Sequence, residues 1–358
     1  MSHSISTIAF YLPQFHPIPE NDAWWGKGFT EWTNTAKATP LFKGHEQPHV
    51  PADLGFYDLR CAETRQAQAS LAKEYGITGF CYYHYWFGGQ RLLERPFNEV
   101  VDSGQPDLPF CLCWANQTWT GIWHGAPNKV LIEQTYPGEA DYRAHFEALL
   151  PAFSDPRYIR VQGKPLFVVY RPTELPDARE FIRLWTEWAQ AAGLPGFYFV
   201  GINHNDQWKP QADGFDAAIL QKLPPKKPNV TWRHPLLKLG QLRHKYQLTI
   251  HQYADIYPTL TRKEQPGYVE FPCAIPNWDN TPRSRLNGLI MQNSTPELFA
   301  QHFDACLRNA SRLPPDQQIV FIKSWNEWAE GNHLEPDLQY GHAYLEVVKN
   351  RLAQLDHA

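Results

Sequence analysis

Short apolar runs recur along the chain, and longer stretches with an apolar face and a polar face separate them. Eight of the runs read as strands: Ile5–Leu12, Gly79–Tyr85, Phe110–Trp114, Leu166–Tyr170, Tyr198–Ile202, Ala217–Leu220, Phe271–Ile275 and Ile319–Trp325. Five intervening stretches have helical spacing: Cys61–Tyr75, Glu139–Leu150, Ala178–Ala192, Pro296–Ser311 and Tyr340–Leu355. Strand–helix alternation predicts parallel βα units, and eight strands is the count that closes a barrel. The predicted fold is therefore α/β, a (β/α)8 barrel occupying residues 1–358 as a single domain with long βα loops. Two segments break the rhythm. Pro13–Tyr57 has little periodicity, and Gln221–Glu270 is rich in proline and basic residues. The second is expected to be irregular, with a helix around Leu236–Tyr246. These segments follow the first and sixth strands, so they belong on the face that carries barrel active sites. No repeat, low-complexity tract or interdomain linker interrupts the pattern, and the 31 prolines are scattered.

Composition narrows the possibilities. A length of 358 residues suits one barrel with insertions and, equally, two ordinary domains. The net charge of −4 and the lack of any basic run argue against a nucleic-acid partner. The stretch Met1–Ser6 has no basic region and runs straight into a strand, and no apolar run approaches membrane-spanning length. A cytoplasmic protein without membrane insertion is the expectation; the pattern leaves its oligomeric state open. Of six cysteines, Cys81, Cys111 and Cys113 lie in strand-like runs, which suits buried reduced thiols. The pair Cys111 and Cys113 lacks the two-residue gap of a redox or zinc pair.

The aromatic content, 14 Trp, 17 Tyr and 20 Phe, suits stacking on sugar rings. Large barrels bury many aromatics anyway, so any single ring carries about even weight. The weight rises where rings sit beside polar groups at strand ends. The eighth strand runs into Asn326, Glu327, Trp328 and Glu330, followed by Gly331. Two carboxylates at the C-terminal end of a barrel strand point into its mouth. Glycosidic bond cleavage needs such a pair, one protonated and one ionised. Flanking Trp325 and Trp328 would desolvate one acid and raise its pKa. An arbitrary pair of glutamates at this spacing is usually a solvated turn; the apolar strand and the tryptophans favour function here.

Other strand ends repeat the polar–aromatic theme. They supply Tyr11 and Gln14, then Tyr83, Tyr85 and Trp86, then Trp114, Asn116 and Trp119. The fourth strand ends on Tyr170, the fifth on Asn203 followed by Asn205 and Asp206, and the seventh leads to Trp278, Asp279 and Asn280. Together they predict one ring of substrate-binding groups. No His-Glu-x-x-His or other tight ligand cluster is visible among the 15 histidines, so no metal and no cofactor are expected. His333 and Glu335 read as shaping the last loop beside the substrate.

These stretches carry a resemblance. The chain resembles the WbsX-type glycosyltransferase family, whose barrel is similar to glycoside hydrolase family 99. The matching stretches are Ala9–His16 (AFYLPQFH), Trp25–Trp32 (WGKGFTEW, which adds Trp25 and Glu31 to the binding set), Gly79–Trp86 (GFCYYHYW), Pro109–Asn116 (PFCLCWAN), Trp278–Asn280 and Trp325–Gly331 (WNEWAEG). They span nearly the whole chain. In family 99 the last motif carries both catalytic acids of a retaining, metal-independent endo-α-mannanase chemistry. The resemblance implies Glu327 as base on the sugar 2-OH and Glu330 as acid, then base. Ala329 departs from the His usual in family 99, which puts the leaving-group side of the pocket in question.

Three functions compete. The first is a retaining glycosidase or transglycosylase acting on a mannose-like or polysaccharide glycan. The second is a sugar-nucleotide glycosyltransferase for O-antigen or other surface polysaccharide (lipopolysaccharide biosynthesis). No Asp-x-Asp clamp or dinucleotide fingerprint supports it. The third is a non-catalytic glycan-binding barrel.

Overall fold

A computed structural model of the chain describes residues 5–121, 126–204, 207–227, 229–230, 235–242 and 247–356. Eight parallel strands form a closed ring: β1 (Ser6–Tyr11), β2 (Gly79–Phe87), β3 (Phe110–Trp114), β4 (Lys164–Val169), β5 (Tyr198–Asn203), β6 (Ala217–Leu220), β7 (Val269–Ala274) and β8 (Ile319–Ile322). Each pairs in parallel with the next, and β8 pairs with β1, Ser6 lying opposite Ile319 and Ala9 opposite Ile322. All eight expected strands are present, and the (β/α)8 barrel stands.

Among the described residues the longer helices are α1 (Ala62–Glu74), α2 (Arg95–Ser103), α3 (Glu139–Ser154), α4 (Ala178–Ala191), α5 (Pro235–Leu242), α6 (Pro296–Ala310) and α7 (Ala343–Asp356), with α5 belonging to the loop after β6. The sequence pattern overlooks α2. Pro96 reads as a breaker, yet it sits in the first turn, where its missing N–H is unneeded. Between β5 and β6, where the sequence pattern places no helix, the described residues hold a single 3-10 turn, Pro210–Asp213.

The two aperiodic segments are more ordered than their sequences suggest. After β1 the chain forms short helices at Pro19–Trp25 and Glu31–Lys37. After β6, α5 is followed by a strand at Thr249–Gln252. That strand pairs with Leu289–Gln292, which pairs in turn with Trp278–Asp279. This small sheet ties the loop after β6 to the loop after β7. The tie is tertiary, so local periodicity carries no sign of it. Of the expected helix around Leu236–Tyr246, residues beyond Leu242 lie outside the described residues. Among the described residues no helix is long and apolar enough to cross a membrane. The six cysteines are free, five of them buried and Cys61 exposed.

Side chains alternate along each strand, one into the barrel and the next toward the helices. Phe10, Tyr83 and Phe321 meet inside, with Phe10 stacked on Tyr83 at 5.5 Å. Tyr11 and Tyr82 meet outside at 4.5 Å, and the Tyr11 hydroxyl donates to Gln68 of α1. This parity decides which strand-end residues reach the mouth.

Candidate active site

The C-terminal ends of the strands surround a cavity of about 270 Å³. Its centre is the turn that follows β8. Asn326–Glu327 pairs antiparallel with Asn332–His333, and a 3-10 turn, Trp328–Glu330, joins them. Gly331 closes the turn at φ +51°, and a Cβ there would stand 2.8 Å from the Asp279 carbonyl oxygen. Only glycine meets both demands without strain.

The turn is held from several sides. The Asn326 carboxamide accepts from the Leu12 N–H and donates to the Leu12 carbonyl, fixing the turn to the end of β1. The Glu327 N–H donates to Ser324 Oγ, which donates to the Asn332 carbonyl. Asn332 Nδ2 donates to the carbonyls of Asn277 and Lys323. Behind the turn, Glu335 accepts from Trp328 Nε1 (2.7 Å), Tyr57 Oη (2.9 Å) and Gln68 Nε2 (2.7 Å).

The two carboxyls face one cavity but feel different fields. Burial pushes Glu327 up more strongly than any one neighbour opposes it, but the Lys323 ammonium, Glu330 and Arg283 together hold the carboxyl below the usual value. Lys323 Nζ lies 2.7 and 2.9 Å from its two oxygens and 3.1 Å from Tyr83 Oη. Glu330 goes the other way. Burial raises it, Arg283 opposes, and the nearby Glu327 charge raises it again, so that it titrates near about 7. Each carboxyl shifts the other's titration. Arg283 Nη1 donates to Glu330 at 2.8 Å and Nη2 to Glu31 at 2.5 Å. Glu31 also accepts from the Ala329 N–H at 3.1 Å, and burial raises its pKa. The two shifts run in opposite directions, Glu327 toward the ionised form and Glu330 toward the protonated one, the separation that an acid and a base need.

Of the strand-end ring expected from the sequence, Gln14, Trp25, Glu31, Tyr83, Tyr85, Trp119 and Tyr170 line the cavity together with Glu327 and Glu330. The remainder do not. Trp86 Nε1 is shared between the Asp141 oxygens at 3.1 and 3.2 Å, and its ring stacks on His145 of α3. Trp114 packs on the same His145 and on Phe181 of α4. Both point outward because they lie on the helix-facing parity of their strands. Tyr11 is outward for the same reason. Asn116 is spent on Tyr136 and on the backbone of Arg171. Asn203 donates to the Trp208 carbonyl and Tyr268 Oη. Asp279 accepts from His45 and Gln47, and Asn280 from the Leu289 N–H. Asn326, Trp328 and Glu335 support the turn from behind. His333 stacks on Trp328 and contacts Asp337 at 3.2 Å. Trp278 lies beneath the Lys323 ammonium, 5.4 Å from ring centre to Nζ. Asn205 and Asp206 lie outside the described residues.

Two residues absent from the expected set, Lys323 and Arg283, make the closest contacts to the acids. A lysine inside an apolar strand was a legible signal for the first. Arg283 reaches the site from a short helix, Thr281–Ser284, and no local pattern marks it. The reading of no ligand cluster also needs correction. Folding brings His49, His333 and Asp337 together, although His49 is remote in sequence.

The model of one family, Glycosyltransferase WbsX, matches residues 7–348. The WxcX protein of Xanthomonas campestris pv. campestris (strain B100) is 38% identical over 353 residues, covering 97% of this chain. The chain spans about half the length of the curated relatives it matches, 49% of that protein. Among solved structures, a glycoside hydrolase-like protein is similar with TM-score 0.59 and 16% identity over 98% of this chain and 94% of its own. A GH99 endo-alpha-mannosidase from Bacteroides thetaiotaomicron gives TM-score 0.56 and 15% identity, with 98% of each chain covered. At such identities these likenesses establish the fold.

Proposed function

Taking as premise that the chain belongs to the WbsX glycosyltransferase family, a family of carbohydrate-active barrels, we propose that residues 1–358 are one catalytic domain that cleaves or transfers glycosidic bonds with retention. The substrate is a mannose-like or polysaccharide glycan. Glu330 is the acid that protonates the leaving oxygen. Glu327 is the base that takes the proton of the sugar 2-OH, whose oxygen then displaces the leaving group. Glu330, now ionised, takes a proton from the water or acceptor hydroxyl that attacks the anomeric carbon; the bond from that carbon to the 2-oxygen breaks, and the 2-oxygen recovers its proton from Glu327. The scheme needs the two carboxyls and no cofactor. Trp25, Tyr83, Tyr85, Trp119 and Tyr170 supply ring faces and hydroxyls for the sugar.

One observation carries the reading: the opposed shifts of two carboxyls on one turn, Glu327 down and Glu330 up to about 7. Acid and base roles follow from such separation. We place the activity in cytoplasmic assembly of surface polysaccharide, a setting that suits six unpaired cysteines.

The test is an α-mannan oligosaccharide panel, with product anomers read by NMR. Retention is expected, and Glu330→Gln should lose about 10²–10⁴-fold in turnover while folding normally. Inverted product, or wild-type turnover in that variant, would end the assignment. The family's description favours a second reading, transfer from a nucleotide sugar. A clear thermal stabilisation by one such donor would support it. Oligosaccharides that bind yet stay intact would instead indicate a binding barrel.

A further inference from the structure

On the far side of Trp328 from the cavity, three side chains of metal-ligand type converge. His49 comes from the loop after β1, and His333 and Asp337 come from the chain leaving the catalytic turn. One ring nitrogen of each histidine and a carboxylate oxygen of Asp337 lie within 4.8 Å of one another. We propose that these residues bind one divalent cation of the zinc class, clasping the β1 loop to the segment after the turn.

The geometry is close to that of a chelate. Two donors on one tetrahedral zinc, each about 2.0 Å from the ion, stand about 3.3 Å apart. His333 Nε2 and Asp337 Oδ2 stand 3.2 Å apart. Only His49 needs to close in, and it lies on a loop, its ring edge-on to that of His333 with centroids 5.3 Å apart.

The donors are oriented by their neighbours, as metal ligands are. Asp337 Oδ1 accepts from the N–H groups of Gln339 (2.9 Å) and Tyr340 (2.7 Å), which turns Oδ2 toward His333. The His333 ring is stacked on Trp328 at 3.9 Å. The Nδ1 atom of His49 is buried without a hydrogen-bond partner among the described residues.

Two imidazoles and one carboxylate form a familiar zinc donor set that leaves a fourth position. A pocket of about 40 Å³ beside His49 and Asp337, lined also by Glu46, Asn277 and Ser294, has room for one water there.

The site stands apart from the proposed glycan chemistry, and so does its test. The full chain, stripped with EDTA, is titrated with Zn²⁺ against a chromophoric chelator. Co²⁺ absorption reports the ligand geometry. One zinc per chain is expected, with a thermal shift on binding. His49→Ala alters a partly exposed side chain and should melt like wild type without metal. It should bind at least about 100-fold more weakly. Asp337→Asn keeps the oxygen that caps Gln339 and Tyr340 and should weaken binding likewise. Absence of stoichiometric binding would leave a plain His–Asp hydrogen bond, and equal binding by His49→Ala would place the ion elsewhere; either overturns the proposal.

Discussion

Replacing Lys323 with Met removes both hydrogen bonds to Glu327 and the charge that keeps it ionised. The methionine fills much of the space but offers no donor. Glu327 is then a buried acid with no cation in direct contact. Removing one partner of a buried ion pair costs about 3–5 kcal/mol if the other stays charged. The acid avoids part of that cost by taking up a proton. Buried carboxyls without partners reach pKa values of about 8–9. At pH 7 that leaves roughly 1–10% of Glu327 ionised, so turnover falls about 10–100-fold. Raising the pH does not rescue it, because Glu330 loses its proton above about 7.

Stability changes sign with pH. In the wild type the Glu327 pKa is depressed in the folded state. It therefore contributes stability above the ordinary carboxylate range, and this is lost as pH falls through the folded value. In Lys323→Met the folded value is raised. The variant is then penalised as pH rises from the ordinary range through that raised value. The melting gap between the two proteins should widen from pH 5 to pH 8. A loss of 3–5 kcal/mol corresponds to roughly 4–7 °C for a chain of this size. Thermal melts at both pH values, with ¹³C-glutamate NMR assigned by Glu327→Gln, read the effect without any substrate. An equal gap at pH 5 and pH 8, with an unshifted Glu327 titration, would refute the account of Lys323.

Three other outcomes are expected. Wild-type turnover should decline as pH rises past about 7, where Glu330 ceases to be protonated, and kcat/KM against pH reads this limb. Gly331→Ala should destabilise by at least about 1–2 kcal/mol from the left-handed backbone alone, with more from the 2.8–2.9 Å approach to Asp279; urea unfolding measures it. Trp119→Ala should raise KM, whereas Trp86→Phe, altering a ring outside the cavity, should leave KM near wild type.

The barrel was legible because each strand is a short apolar run bounded by polar loops, a local property. The helix α2 was not, because a proline in a first turn looks like a break until its position in the turn is known. The site was legible unevenly, and parity explains why. Tyr83 and Tyr85 sit two apart on β2 and share the inner face, while Trp86 falls between the helices. Counting alternate positions from Phe10 or Tyr83 separates the inner rings from the outer ones. Lys323 stands out in the same way, as a cation in an apolar strand. Arg283 and His49 do not, since only the folded loops bring them near their partners.

The turn carrying both acids hangs on β8, and β8 is hydrogen-bonded between β1 and β7. Before Ile319–Ile322 is added, a ring of the other seven strands cannot close, because β1 and β7 each keep one unpaired edge. The same addition seals the ring and delivers Glu327 and Glu330, so a half-made chain has neither its finished form nor its chemistry. Truncation before Ile319 should yield an aggregation-prone, inert product rather than a weakened enzyme.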